Sequence, residues 1–226
     1  MYRALLFDLD GTIAETDSLH LPTWVDTLEP YGVEVDEEFY RDRISGRNTN
    51  EIVRELIPDL TDEQRKSIGD AKEASFRERA SELEPLPGLV HFVERGRKLG
   101  MHIALVTNAP GENVEVILLA LKLRDLFDVV VLADEVEAVK PDPAPYRAAL
   151  EKTGVPADRA LAFEDSVSGI SSSLAAGIST VGIASSQDPQ RLLRAGAFTT
   201  AEDFTDPQLR ALIEAQDSPT APGRPS

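Results

Sequence analysis

The sequence predicts an α/β protein in which helices cover both faces of a parallel sheet. Two observations lead to this fold class. From residue 83 onward, short apolar runs alternate with segments of helical periodicity, and such repeated strand–helix units form parallel sheets. Between residues 15 and 82, by contrast, apolar residues recur at helical spacing in successive segments without a clear strand. The expected fold is therefore a Rossmann-like core with an inserted α-helical cap.

These patterns divide the chain into three regions. We predict an α/β core domain of residues 1–14 and 83–215, a helical cap domain of residues 15–82, and a disordered tail of residues 216–226. The tail is assigned from its content of Pro, Ser, Thr and Gly, which cannot bury enough apolar surface to fold. An insertion directly after the first strand can cover a site at the end of that strand and exclude water from it.

The first element is the apolar run of residues 4–7, which is typical of a buried strand in a parallel sheet. Asp8, Asp10 and Gly11 follow it, and ligands of open α/β sheets bind outside the carboxyl ends of the strands. Because side chains at i and i+2 of an extended segment point the same way, the two carboxylates can converge on one divalent cation. Asp and Gly are also common in turns, so an ordinary polar turn is the alternative interpretation.

Four helices are expected in the cap. They are residues 19–31, residues 36–44, a helix that begins at an N-cap on Thr49, and a helix of residues 61–81. The last of these has the clearest start, because Thr61 can cap it while Gln64 closes a capping box.

The core resumes after residues 84–88, where two prolines and a glycine break the helical pattern. Strands are expected at residues 102–106, 129–132, 160–163 and 180–183, and helices at residues 89–99, 113–121, 143–153, 166–176, 188–195 and 206–215. Gly100, Gly154 and Gly177 directly follow the helices that end at residues 99, 153 and 176, and glycine is typical of helix ends. His91 and His102 lie within these core elements and are expected to pack.

Composition limits the possible partners. The formal net charge of −17 repels phosphate backbones, which argues against DNA, RNA or an anionic membrane as partner. The absence of cysteine excludes disulfides and thiolate chemistry, and no apolar run approaches transmembrane length. We expect a cytoplasmic protein, and a monomer because no apolar helix face is left unexplained.

Polar residues at four predicted strand ends supply the candidate chemistry. They are Asp8 and Asp10, Thr107 and Asn108, Lys140, and Glu164 and Asp165. A carboxylate can attack phosphorus, Mg²⁺ takes oxygen ligands from carboxylates, and a lysine supplies a positive charge for a phosphate oxygen. Each residue also has an ordinary alternative, which is a surface turn for Lys140 and helix capping for Glu164 and Asp165.

The same residues resemble the motifs of the haloacid dehalogenase-like (HAD) hydrolases. Asp8-Leu9-Asp10-Gly11-Thr12 is similar to the first motif, Thr107 to the second, Lys140-Pro141 to the third, and Glu164 to Ile170 to the fourth. The resemblance implies that Asp8 is the nucleophile, and that Asp10 is the general acid and base and also gives the metal a backbone carbonyl. It implies further that Glu164 and Asp165 hold the metal, while Lys140 and Thr107 bind the transferring phosphate.

The insertion resembles the small cap of the β-phosphoglucomutase and phosphoglycolate phosphatase branch. His20 and Trp24 are similar to the start of the phosphoglucomutase cap, and Arg47 lies in a loop like the one that reaches the substrate. This predicts substrate-binding roles for Asn108, Arg47 and His20. Packing is the alternative for His20, and solvation is the alternative for Arg47.

These inferences lead to three hypotheses of function. The first is a Mg²⁺-dependent phosphatase that hydrolyses a small phosphorylated metabolite, a sugar phosphate, through an aspartyl-phosphate. Asp10 favours phosphate esters over carbon–halogen bonds, because an ester oxygen needs a proton to leave. A phosphomutase on the same scaffold is the second hypothesis. The third is a receiver-like phosphorelay module, although such modules are shorter and have no cap.

Overall fold

The structure is a computed structural model that describes residues 1–214. These residues contain a six-stranded parallel sheet. The strands are β1 (Ala4–Phe7), β2 (His102–Val106), β3 (Val129–Val131), β4 (Ala160–Glu164), β5 (Ser179–Ile183) and β6 (Thr199–Ala201). Their order is β3-β2-β1-β4-β5-β6, which confirms the predicted α/β fold. Since β2 and β4 flank β1 on opposite sides, the carboxyl end of β1 lies at a topological switch point.

Ten helices accompany these strands in the described chain. They are α1 (Asp17–Leu28), α2 (Glu37–Arg43), α3 (Thr49–Leu56), α4 (Asp62–Arg79), α5 (Leu89–Lys98), α6 (Gly111–Ala120), α7 (Ala144–Thr153), α8 (Val167–Ala175), α9 (Pro189–Ala195) and α10 (Pro207–Glu214). The first four lie between β1 and α5, and the others follow the alternation expected of the core.

The two faces of the sheet pack differently because side chains alternate along each strand. On one face, Leu5 and Phe7 join a large cluster with residues of α5 and α6. Phe7 stacks on Phe163 with ring centroids 4.8 Å apart. On the other face, Ala4 and Leu6 join a smaller cluster with residues of α7. The central strand is thus buried on both sides, and Asp8 follows it directly.

Helices α1 to α4 have a hydrophobic cluster of their own. It contains Trp24, Leu28, Tyr40, Ile44, Ile52, Val53 and Ile57. The segment that leads into these helices and the segment that leads out of them lie side by side, because Ala14 and Pro85 form an antiparallel bridge. The division into a core domain and a cap domain remains a prediction, and the separate cluster is consistent with it.

Several predicted boundaries differ from the structure. The N-cap of α3 is Asn48, whose side chain accepts a hydrogen bond from the Asn50 N–H at 2.9 Å, so the assignment of that cap to Thr49 was wrong. Strand β6 was not predicted, since its three residues carry too weak a pattern. The capping box of Thr61 and Gln64 is confirmed.

Other predictions concern burial and the chain end. His91 and His102 are exposed, so the expectation that they pack was wrong. His91 lies on the solvent side of α5, and His102 is the first residue of β2. Helix α10 is described as Pro207–Glu214, and the predicted tail of residues 216–226 lies outside the described residues. Within residues 1–214, no helix combines the length and the apolar character needed to cross a lipid bilayer.

Candidate active site

The carboxyl edge of the sheet brings Lys140 into contact with two of the predicted acidic residues. Lys140 Nζ lies 2.5 Å from Asp8 Oδ1 and 2.6 Å from Glu164 Oε1, and it also donates to the Val106 carbonyl at 2.7 Å. Asp8 directly follows β1 and Glu164 ends β4, which are neighbouring parallel strands. Residues far apart in sequence therefore meet because parallel strands end at the same edge.

Asp165 completes an acidic cluster at this edge. Asp8, Glu164 and Asp165 each offer a carboxylate oxygen, and these oxygens all lie within 4.8 Å of one another. Three buried or half-buried carboxylates around one lysine leave excess negative charge, and hard oxygen donors are what Mg²⁺ prefers. The cluster can therefore hold a divalent metal. The carboxylate of Asp10 is not in this cluster, so the expectation that the Asp8 and Asp10 side chains converge on one cation was wrong. The contribution of the Asp10 backbone carbonyl stays a prediction.

Two glycines allow the acidic side chains to sit this close to the backbone. A Cβ on Gly11 would lie 2.2 Å from Asp165 Oδ2, and Gly11 also has a positive φ of 71°. A Cβ on Gly169 would lie 1.8 Å from Glu164 Oε2. The sequence reasoning gave no role to Gly169, although a glycine in the first turn of a helix is a signal of close approach.

Burial dominates the electrostatics of the cluster. It raises the pKa of Asp8 to about 8, with Glu164 and Asp10 adding to the rise and Lys140 opposing it. Burial also raises the pKa of Asp165 well above its usual range, and the charges of Asp8 and Glu164 add to this effect. Burial disfavours the charge of Lys140, but Asp8 and Glu164 outweigh it and raise the pKa of this lysine. A bound cation would relieve the repulsion among these carboxylates.

Asp10 turns away from the cluster toward the helical insertion. Its Oδ1 accepts a hydrogen bond from Thr16 Oγ1 at 2.7 Å and lies 3.7 Å from His20 Nε2. Burial favours the neutral form, but His20, Thr16 and the charge of Lys72 outweigh it and lower the pKa of Asp10. Asp8 and Asp10 thus have opposite pKa shifts, in the reverse of the sense that a nucleophile and a general acid need. A cation bound at Asp8 would lower the pKa of that carboxyl.

Thr107 and Asn108 follow β2 at the same edge. Asn108 Oδ1 accepts from the Lys140 N–H at 3.1 Å, and Asn108 Nδ2 donates to the Lys140 carbonyl at 3.2 Å. Thr107 is buried, and its Oγ1 accepts from the Ala109 N–H at 2.9 Å. Asn108 therefore holds the backbone of Lys140, while the Thr107 hydroxyl still has its proton to donate.

The predicted cap residues have different surroundings. His20 reaches Asp10, stacks on Phe76 with ring centroids 4.0 Å apart and lies beside Lys72. Arg47 instead donates to Glu55 Oε2 at 2.7 Å and to the Arg43 carbonyl at 2.7 Å. The guanidinium of Arg47 is thus bound to residues of α2 and α3, and its substrate-binding role stays a prediction.

Sequence reasoning missed two further residues. Lys72 is 3% exposed, and its Nζ lies 3.0 Å from His20 Nδ1 and 5.1 Å from the centre of the Trp24 ring. A lysine one turn before Phe76 on the buried side of a helix was the available signal. The Tyr146 hydroxyl donates to Glu164 Oε1 at 2.6 Å, next to Lys140 Nζ. Each of these contacts joins two elements that are distant in sequence. The local sequence pattern around Lys72 or Tyr146 therefore could not identify the residue that it contacts.

Comparison with known proteins identifies the family of this chain. A family model described as haloacid dehalogenase-like hydrolase matches residues 5–183. The chain belongs to this family. The chain is 33% identical over 202 residues to the phosphorylated carbohydrates phosphatase of Thermotoga maritima, covering 86% of this chain and 92% of that one. The resemblance to HAD hydrolases seen in the sequence is confirmed.

Two solved structures are also similar to this chain. CbbY from Rhodobacter sphaeroides in complex with phosphate superimposes with a TM-score of 0.79 at 29% identity, covering 91% of this chain and 96% of that chain. A Thermotoga maritima protein provisionally named β-phosphoglucomutase superimposes with a TM-score of 0.76 at 30% identity, covering 95% and 99%. The family and its relatives confirm the prediction of an enzyme, a HAD phosphoric monoester hydrolase.

Proposed function

We propose that this HAD protein is a Mg²⁺-dependent phosphatase that hydrolyses a small phosphorylated metabolite, a sugar phosphate, through an aspartyl-phosphate on Asp8. The observation that carries the proposal is the convergence of Lys140, Glu164 and Asp165 on Asp8 at the carboxyl edge of the sheet. The Asp10 carboxylate contacts Thr16 and His20 at the start of the helical insertion. An anionic nucleophile, a metal site, a fixed positive charge and a separate acid are the parts that phosphoryl transfer needs.

The residues divide the reaction between them. Asp8 attacks phosphorus, and the bond to the ester oxygen breaks with its electron pair on that oxygen, which takes a proton from Asp10. Asp10 then removes a proton from water, which attacks the phosphorus of the aspartyl-phosphate and frees Asp8 and inorganic phosphate. Lys140 and the Thr107 hydroxyl bind the phosphate oxygens. Mg²⁺, held by Asp8, Glu164, Asp165 and the Asp10 carbonyl, would reduce the repulsion between nucleophile and substrate.

The sugar-phosphate assignment is supported by the relatives and by the charge of the protein. One similar relative is named for phosphorylated carbohydrates. With a net charge of −17, the chain has little general attraction for nucleic acid, and its positive charge near Asp8 is local. A small substrate that fits between cap and core suits this arrangement better than a polymer.

A phosphomutase is the second candidate. It is supported by the similar structure provisionally named β-phosphoglucomutase and by the placement of His20 and Trp24 beside Lys72 in the cap. Incubation with β-glucose 1-phosphate separates the two functions, since a mutase yields glucose 6-phosphate and a phosphatase yields glucose and free phosphate. A receiver module is disfavoured, because the family match extends over residues 5–183 and includes the cap.

The test is a phosphate-release assay with Asp8→Asn as its central variant. The panel contains glucose 6-phosphate, fructose 1-phosphate, phosphoglycolate and a nucleoside monophosphate, each with Mg²⁺ and with EDTA. We expect Mg²⁺-dependent release from a sugar phosphate and none from Asp8→Asn, because an amide is a far weaker nucleophile than a carboxylate. Near-normal rates in Asp8→Asn would disprove the assignment of the nucleophile.

A further inference from the structure

A buried polar network joins cap helix α4 to core helix α6. Asn113, which is 2% exposed, donates from Nδ2 to Glu73 Oε2 at 2.6 Å and accepts at Oδ1 from Arg77 Nη1 at 2.9 Å. Glu73 and Arg77 are one turn apart on α4, so a single core amide can hold both. The two hydrogen bonds of the Asn113 side-chain amide can therefore form together only when α4 packs on α6 in this one position.

From Glu73 the network continues into the cap. Glu73 Oε1 accepts from Thr49 Oγ1 at 2.5 Å and from Lys72 Nζ at 3.0 Å. Burial lowers the pKa of Lys72, and Glu73 is the group that most strongly opposes this. A buried ammonium needs such a partner, since an unpaired buried charge is costly. Glu73 thus stabilises the charge of Lys72.

Lys72 in turn leads to Asp10. Lys72 Nζ lies 3.0 Å from His20 Nδ1, and His20 Nε2 lies 3.7 Å from Asp10 Oδ1. The hydrogen bonds and close contacts therefore run from Asn113 in the core, through the cap, and back to the core at Asp10. Chains of this kind in a low-dielectric interior depend on every member being in place.

We propose that Asn113 is a positioning residue that acts through Glu73 to hold Lys72 and His20 beside Asp10, so that cap docking is coupled to protonation of the leaving group. The inference rests on the proposed phosphatase function. The proton at issue is the one that Asp10 gives to the ester oxygen as its bond to phosphorus breaks and the bond from Asp8 to phosphorus forms. Asn113 touches neither the substrate nor Asp10.

The test compares two leaving groups in Asn113→Ala. One substrate is the sugar phosphate released fastest in the panel above, whose alkoxide needs a proton, and the other is p-nitrophenyl phosphate, whose anion leaves without one. We expect kcat/KM to fall about 10- to 100-fold for the sugar phosphate, as for loss of a hydrogen bond to a charged group, and to change little for p-nitrophenyl phosphate. A merely misfolded variant would lose both activities equally.

A double-mutant cycle tests the hydrogen bond itself. Glu73→Gln removes the charge that holds Lys72, and we expect the same loss on the sugar phosphate as in Asn113→Ala. Because Asn113 acts through Glu73, the double variant with Asn113→Ala and Glu73→Gln should lose little more than either single variant. Losses that add in the double variant would contradict the proposal.

The matched control is Glu112→Gln on the same helix. It removes an ion pair with Arg77 at 3.2 Å in which the Glu112 side chain is 79% exposed, and such pairs contribute little. We expect unchanged kinetics and an unchanged melting temperature. Equal losses on both substrates in Asn113→Ala, or no loss at all, would overturn the role of Asn113. If the unaltered protein releases phosphate from no substrate, the proposed function itself fails.

Discussion

At the scale of single residues, Glu164 shows how the site depends on side chains that never reach the substrate. Its Oε1 accepts from both Lys140 Nζ and the Tyr146 hydroxyl, each at 2.6 Å, and Glu164 is completely buried. Two donors on one oxygen fix the direction of the carboxylate. The lysine that approaches Asp8 contacts the same oxygen, so Tyr146 helps to position Lys140 through Glu164.

We therefore expect Tyr146→Phe to reduce kcat by about tenfold, because a buried acceptor that loses a donor costs about 1–3 kcal/mol. Its Mg²⁺ affinity, measured by calorimetry, should also change, since Glu164 belongs to the acidic cluster. Tyr31→Phe is the control, because Tyr31 is 42% exposed. Kinetics and Mg²⁺ affinity of Tyr146→Phe that match those of the control would show that the hydroxyl has no positioning role.

At the scale of secondary-structure elements, local signals predicted most of the chain. The capping box at the start of α4 is visible in sequence because its two partners are three residues apart. The cap of α3 was misplaced by one residue, because Asn48 and Thr49 are both good N-caps and Thr49 is used instead to bind Glu73. A tertiary hydrogen bond therefore decided between two locally acceptable choices.

The capping box gives a prediction in which stability changes and activity does not. Thr61→Ala removes the acceptor for the Gln64 N–H, and we expect the free energy of unfolding to fall by about 1 kcal/mol in urea denaturation. Catalytic constants should stay near those of the unaltered protein at a temperature where both are folded, since Thr61 lies at the far end of α4 from Arg77 and the contact with α6. A large loss of kcat at full folding would mean that the start of α4 also affects the site.

At the scale of the whole molecule, the acidic cluster makes folding depend on pH and metal. Folding raises the pKa of Asp8 from 3.8 to about 8, so the metal-free folded state binds more protons than the unfolded state between these values. This contribution to stability is fully present below pH 3.8 and is lost as pH rises through about 8. Asp165 changes in the same direction.

We expect the melting temperature in EDTA to fall between pH 5.5 and pH 8, and the increase caused by Mg²⁺ to grow over the same range as the carboxylates lose their protons. Asp10 and Glu73, whose pKa values are lowered, are ionised in both states there and add no slope. Differential scanning calorimetry measures both effects. Asp165→Asn serves as the comparison, because it removes one of the repelling charges. A Mg²⁺ effect independent of pH would contradict this electrostatic account.

The order of residues alone was enough to predict the parallel sheet, the helical insertion and the acidic edge at Asp8. Strand and helix periods, caps and motif spacing are local properties, and parallel strands must end at one edge. Only the folded chain decided that Lys72, Tyr146 and Asn113 belong to the network around that edge. Their contacts join elements that are 18 to 52 positions apart in the chain, and which buried polar groups meet depends on three-dimensional packing.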